Sequence, residues 1–352
     1  MRLKEYSDII FDLIPKLYES HSKVFITHLY NVEKQVERLP KKFCKMYTNR
    51  SLASQLLYYL KSRNASISES DFHIVEDAKP FQLRLSDGKR LEVMLCAGNE
   101  LKNSLMLLIR RIQGGPLLYY YSAVQQDDLW RLMGNDTYNA WIAQGTEILY
   151  LNLQHANQTE ILHYDYDDIA ESLIKFAEET ERKVLIKIPL FGFEYVIRSL
   201  AYTQLYGHIH LMGCFGETYR RLTDDMQRFN NPNFAQTVQV CSLTDIMNVI
   251  RTEDLVEFPL AQLKWTPLPT RVNLKQLCSL LRPKHIHGIV AYHAVGNAPP
   301  APSYLQSLRS TYSPNSLRRK MEVPQGSANA KSDIRNAKRR RIDYVDDPSD
   351  SN

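Results

Sequence analysis

Residues 24–33 read Val24-Phe25-Ile26-Thr27-His28-Leu29-Tyr30-Asn31-Val32-Glu33, an apolar run that opens into a polar loop carrying one imidazole and one carboxylate. Val24, Phe25 and Ile26 are β-branched or aromatic, the pattern of a short buried strand. Loops at strand ends are where binding and catalytic groups are placed. A di-metal hydrolase at such a loop needs His-x-His-x-Asp-His, because alternate histidines share one side of the backbone and the Asp-His pair closes the second metal position. At that spacing this chain has His28, Tyr30, Val32 and Glu33. Valine ligates nothing, so the loop keeps a fragment of a metal motif.

Other residue patterns carry less chemistry. His208-Ile209-His210 and His285-Ile286-His287 each present two imidazoles to one side of a strand, but no adjacent Asp or Glu completes a ligand set. The apolar residue between each pair fits a half-buried strand. Tyr119-Tyr120-Tyr121 offers aromatic faces for base stacking, yet alternate tyrosines packing one face of a sheet explain the run more simply. The five cysteines (Cys44, Cys96, Cys214, Cys241, Cys278) are scattered and contain no Cys-x-x-Cys pair, so they read as reduced, packed thiols of a cytosolic or nuclear protein.

Strand after strand, the chain resembles the Apollo/Artemis family of DNA-repair nucleases, which carry a metallo-β-lactamase domain with an inserted β-CASP domain. Ile10-Phe11-Asp12 followed by Phe25-Ile26-Thr27-His28 is similar to the family's opening strand and metal loop. Arg90 to Glu100, running on to Ser104-Leu105-Met106-Leu107-Leu108, resembles its strand, Asp-Ala-Asn-His-Cys-Pro-Gly-Ser turn and return strand. Gly115-Pro116-Leu117-Leu118-Tyr119 resembles the strand before Thr-Gly-Asp, and Glu147-Ile148-Leu149-Tyr150-Leu151-Asn152 the strand that leads into the insertion. Ile186 to Glu194 is similar to the apolar strand with its Gly-Lys-Glu turn, and Leu277 to Val290 to the closing helix and strand. The likeness spans roughly residues 9–295, and the order and spacing of short matches carry it.

The resemblance implies a α/β fold, a metallo-β-lactamase αββα sandwich with an inserted β-CASP-like α/β domain. It also locates the lost ligands. His28 keeps its place, while the family's next three ligands fall on Tyr30, Val32 and Glu33. The lone histidine of the second motif falls on Asn99 or Glu100, and the bridging aspartate on Ser122, or on Ala123 if the gap moves. The last motif, Tyr-Ser-Asp-His-Ser-Ser, falls on residues 268–273, which puts Thr270 and Arg271 where Asp-His would stand. A catalytic zinc needs three protein ligands, and a fixed cation about 4 Å from a dication costs roughly 8 kcal/mol at an effective dielectric of 20. No metal and no catalytic residue are expected; Arg271 either pairs with Glu33 or Glu100 in the metal's place or, like those carboxylates, is simply solvated.

Charge is uneven along the chain. Of the formal +5, ten Lys+Arg against six Asp+Glu lie from residue 298 onward, leaving 34 against 33 in the rest. That segment is rich in Pro, Ser and Asn and lacks hydrophobic periodicity, so it reads as disordered. Arg318-Arg319-Lys320 and Lys338-Arg339-Arg340-Arg341, separated by seventeen residues, are basic clusters of the nuclear-import kind, and an acidic terminus follows them. The near-neutral remainder lacks the basic excess of a duplex-tracking groove, although Lys41-Lys42 with Lys45, Arg110-Arg111 and Arg220-Arg221 are local patches. No apolar run reaches membrane-spanning length, and the N-terminal residues have no signal-peptide pattern.

Periodicity predicts helices at 51–61, 127–133, 167–182, 195–205 and 274–281, and strands at 184–188 and 286–292. The implied organisation is residues 1–155 as the first part of the metallo-β-lactamase-like domain, 156–265 as the insertion, 266–297 as the closing part and 298–352 as a disordered basic tail. The function implied is a nuclear, non-catalytic scaffold that binds DNA ends or a nuclear protein partner in crosslink repair, end joining or telomere maintenance. Two alternatives stand beside it: an active 5′-3′ DNA exonuclease with zinc on a rearranged site of His28, Glu33 and Glu100, and a protein adaptor without nucleic-acid contact.

Overall fold

The apolar runs of the first half become two sheets. The computed structural model describes residues 1–3, 5–122, 132–157, 165–202, 205, 208–222, 238–242, 255–263, 265–289 and 300–310. Strands β1 (Ile9–Phe11), β2 (Lys23–Phe25), β3 (Lys45–Thr48) and β4 (Phe72–Ile74) form a parallel sheet in that order. Strands β5 (Phe81–Arg84), β6 (Arg90–Ala97), β7 (Leu105–Arg111), β8 (Leu117–Tyr121), β9 (Thr146–Leu151) and β14 (His285–Gly288) form a second, mixed sheet in which β5 to β8 are antiparallel and β8, β9 and β14 parallel.

Side-chain alternation along this second sheet divides the protein's interior. Leu91, Val93, Leu95, Leu107, Ile109 and Tyr120 join the parallel sheet in one apolar core, with Phe11 and Tyr120 at 4.2 Å between ring centroids. Met94, Cys96, Met106, Leu108, Tyr119 and Tyr121 form a separate core with the helices Asp136–Ile142 and Arg271–Leu281. Tyr119 and Tyr121 therefore pack one face, as the simpler reading of the tyrosine run predicts. Cys44, Cys96, Cys241 and Cys278 are buried thiols outside any disulfide among the described residues, which fits the reading as packed thiols, and burial pushes the Cys278 thiol up to about 12.

Between β9 and β14 the chain leaves the second sheet and builds a third. Strands β10 (Lys183–Ile188), β11 (Ile209–Leu211), β12 (Val238–Ser242) and β13 (Leu255–Glu257) pair in parallel in the order β11-β12-β10-β13. Helices Tyr166–Thr180 and Glu194–Tyr202 flank β10 in sequence, close to the expected β/α alternation, and residues 203–204 of the second expected helix lie outside the described residues. Helix Arg50–Ser62 forms where 51–61 is predicted, capped by the Asn49 side chain, which accepts from the Leu52 N–H. The helix expected at 127–133 lies mostly outside the described residues, as do residues 290–292 of the last expected strand and both basic clusters.

One boundary differs from expectation. The compact unit runs to Tyr312, and within it residues 303–306 form a helical turn whose Leu305 is fully buried in the second core. The prolines at 299, 300 and 302 suggested a disordered tail, but Pro302 stands at the N-cap, where its missing N–H costs nothing. Tyr304 and Leu305 supply the anchors.

Among the described residues, no helix is long and apolar enough to cross a membrane.

Candidate functional site

The C-terminal ends of β1, β2, β8, β9 and β14 converge, the edge at which open α/β sheets place their sites. Asp12 follows β1, His28 lies just beyond β2, Ser122 follows β8, Asn152 follows β9 and Ile289 follows β14. All five line a cavity of ≈ 20 Å³, room for about one water.

Asp12 is the hub. Its backbone is left-handed (φ 42), which aspartate tolerates, and its carboxylate is 7% exposed. Thr27 donates its N–H to Oδ1 (2.6 Å) and its hydroxyl to Oδ2 (2.7 Å), and the Tyr120 hydroxyl also donates to Oδ2 (2.7 Å). His28 Nε2 stands 3.5 Å from the same oxygen and 2.9 Å from Ser122 Oγ, while Nδ1 has no hydrogen-bond partner among the described residues. Burial pushes the His28 pKa below the usual histidine range, against the pull of the Asp12 charge, so the ring is neutral at pH 7.

Asp, His and Ser together suggest acyl-transfer chemistry, but the geometry denies it. A catalytic relay puts the carboxylate on one ring nitrogen and the hydroxyl on the other. Here both contacts fall on Nε2.

The other positions that the resemblance aligned with ligands are engaged elsewhere. Val32 is buried in the first core. The Glu33 carboxylate accepts the Leu190 N–H (2.5 Å), and burial raises its pKa. Tyr30 lies against Gly192, where an added Cβ would sit 2.6 Å from Tyr30 Cδ2. Asn99 donates to Asn103 Oδ1 (2.7 Å), and Asn103 donates to Glu194 Oε2 (3.1 Å). Glu194 also accepts the Gly192 N–H (2.7 Å). Burial is the main cause that pushes Glu194 up to about 7, with Glu33 adding in the same direction. Glu100 lies 3.4 Å from Arg198. Glu33, Asn99 and Glu100 thus all tie the first-half loops to the 190–198 segment.

Arg271 does not pair with Glu33 or Glu100. Its guanidinium stacks 4.5 Å over the Tyr304 ring, and both carboxylates are taken by the partners just described. The stacking partner came from the segment expected to be disordered. Thr270 caps the helix Arg271–Leu281 in a reciprocal capping box with Asn273. His28 and Ser122, both aligned with ligand positions by the resemblance, meet in the fold although 94 residues apart, and Ala123 lies outside the described residues. It missed Asp12, Asn103 and Glu194 as polar hubs. The signal for Asp12 was its place at a strand end in Ile10-Phe11-Asp12; for Glu194 it was the Gly192-Phe193-Glu194 turn.

These residues do not fit a two-metal centre. Among the described residues, no group of three His, Cys, Asp or Glu is placed to hold a metal ion. His285 and His287 share one side of β14 at 6.5 Å between rings, and His285 Nε2 is 3.9 Å from Glu147 Oε1, short of a ligand set. The basic patches are largely spoken for: Arg110 pairs with Glu92 and stacks on Trp141 (3.9 Å), Arg220 and Arg221 meet Glu217, and Lys42 lies over Tyr18.

No protein-family model and no curated protein match this chain. Among solved structures, a protein of unknown function from Enterococcus faecalis V583 aligns at TM-score 0.49 and 11% identity, covering 76% of this chain and 75% of that one. Zn(2+)-bound PqqB from Methylobacterium extorquens aligns at TM-score 0.24 and 13% identity, covering 36% of this chain and 44% of that one. The fold reading rests on strand order and register.

Gly192 gives a direct check on the junction. With φ +99 and no space for a Cβ, Gly192→Ala is expected to lower stability by about 2 kcal/mol or more, seen as a reduced urea midpoint at unchanged m-value.

Proposed function

We propose that this chain is a non-catalytic relative of the β-CASP metallo-β-lactamase nucleases, a nuclear scaffold that binds DNA ends or a protein partner in DNA repair or telomere maintenance. The observation that carries this reading is the employment of the former ligand positions as structural ties. Glu33 holds the Leu190 amide, Asn99 braces Asn103 and through it Glu194, Glu100 meets Arg198, and Val32 is core. Each change substitutes packing or a hydrogen bond for a metal bond. A sandwich of two sheets with the third sheet as an inserted α/β unit suits this reading, since the chain leaves after β9 and returns as its neighbour β14. The basic clusters at 318–320 and 338–341 support nuclear residence.

The active-nuclease alternative needs His28, Glu33 and Glu100 together, whereas Glu33 and Glu100 are engaged with Leu190 and Arg198. The test uses labelled 5′-phosphorylated single-stranded and duplex DNA with zinc, magnesium or manganese. We expect retention that weakens steeply with salt and no shortening of the label-bearing strand. Cleavage that disappears in His28→Ala overturns the proposal, and no retention at low salt leaves the adaptor reading.

A further inference from the structure

The loop between β1 and β2 carries an apolar side chain that the core does not take in. Leu17 is 78% exposed, the most exposed large hydrophobic residue among those described, and Tyr18 beside it is 44% exposed. The loop is fixed on both sides of them. Ile14 is buried and its N–H is held by Gln35 Oε1 (2.8 Å), while the Glu19 carboxylate accepts from Arg2 and Ser22. Cys44 Sγ, just before β3, accepts the Glu19 N–H (3.4 Å) and meets the Leu17 carbonyl oxygen (4.0 Å). Leu17 and Tyr18 are thus presented outward from a pinned loop.

The charges around them are largely of one sign. Lys16, Lys41 and Lys42 are exposed and form no ion pair among the described residues, and Lys42 Nζ stands 4.0 Å over the Tyr18 ring. Glu19 is already paired with Arg2, and Lys45 turns to the Ser70 carbonyl. An aliphatic tip, a phenol and a set of ammonium groups follow one another. That series matches a lipid–water interface, where an apolar tip enters the acyl boundary, tyrosine sits at head-group level and lysines reach anionic lipid. A nucleic acid suits the patch less well. Lys42 covers a Tyr18 face on which a base would stack, and Arg2, the guanidinium at this loop, is spent on Glu19.

We propose that this patch docks the protein on an anionic phospholipid bilayer, with Leu17 inserted past the head groups and Lys16, Lys41 and Lys42 meeting their negative charge. It lies where β3 begins, at the edge of the parallel sheet opposite the strand ends that carry Asp12 and His28. The DNA assay above therefore neither supports nor removes it.

The test is co-sedimentation of the full-length chain with phosphatidylcholine vesicles, with and without phosphatidylserine. The basic clusters at 318–320 and 338–341 attract the same anionic vesicles, and every variant retains them. Leu17→Ser changes no charge, so its loss of affinity reads insertion alone. The expected result is binding that needs phosphatidylserine, weakened about tenfold in Leu17→Ser and about fivefold by each of Lys41→Gln and Lys42→Gln. Added salt should weaken wild type and Leu17→Ser alike and leave the ratio between them. These positions are exposed, and a far-ultraviolet spectrum identical to wild type checks that each variant folds. Equal affinity of wild type and a folded Leu17→Ser overturns the proposal, as does equal binding of wild type to vesicles without phosphatidylserine. Retention on a single-stranded oligonucleotide that falls in Leu17→Ser while vesicle binding is unchanged would assign the patch to nucleic acid and overturn it too.

Discussion

Asp12→Ala is expected to lower folding stability by about 3–5 kcal/mol, the largest single-residue loss at the cavity. The carboxylate accepts from the Thr27 amide, the Thr27 hydroxyl and the Tyr120 hydroxyl. Removing it orphans three buried donors, each worth about 1–3 kcal/mol when unsatisfied, and a water entering the cavity recovers part of that. Alanine is also strained at φ 42, where aspartate is tolerated. Asp12→Asn should be milder, about 1–2 kcal/mol, because its amide oxygen can keep the Thr27 N–H while the two hydroxyls rotate to accept from the NH₂ group. Urea midpoints at constant m-value measure both. A loss below about 1 kcal/mol in Asp12→Ala would deny Asp12 its place as the hub.

The second large effect is a pH dependence centred on Glu194. Its carboxyl is buried and pushed from 4.5 up to about 7, so the folded protein holds this proton more tightly than the unfolded chain. The associated stability is fully present below about pH 4.5, falls as pH rises, and is lost above about pH 7. At about 1.4 kcal/mol per pKa unit this amounts to roughly 3 kcal/mol. Glu33, raised by burial as well, contributes with the same sign. Glu194→Gln cannot ionise and still offers an acceptor to the Gly192 and Asn103 N–H groups. It should match wild type near pH 5, exceed it at pH 8, and flatten the difference between those two conditions. Parallel melting-temperature profiles for the two proteins between pH 5 and 8 would refute the assignment.

These effects mark where the sequence was legible and where it was not. The short strands were readable because β-branched and aromatic runs such as Val24-Phe25-Ile26 have few other solutions. The contact of His28 with Ser122 joins strands of two different sheets, so strand order alone does not record it; only the resemblance put both at one site. The choice between Asn99 and Glu100 was not legible. Neighbouring residues in a turn differ only in direction, and the fold turns Asn99 inward to Asn103 and Glu100 outward to Arg198.

Asp12 and Glu194 were missed for a related reason. Their partners lie 108 and 91 residues away, and no local period records a contact of that range. Arg271 shows the same limit: charge alone suggested a carboxylate, whereas packing supplied Tyr304 from a proline-rich stretch. A cation over an aromatic face leaves no charge pattern in the sequence.

The central claim is that the loop after β2 is held by protein groups and not by metal. Metal analysis of full-length protein, purified without chelator and dialysed against zinc, tests it most directly, with His28→Ala measured alongside. Far less than one zinc per chain is expected in both proteins, with no change in wild-type melting temperature on adding zinc. One or more equivalents of zinc that stabilise the wild type and vanish in His28→Ala would contradict it.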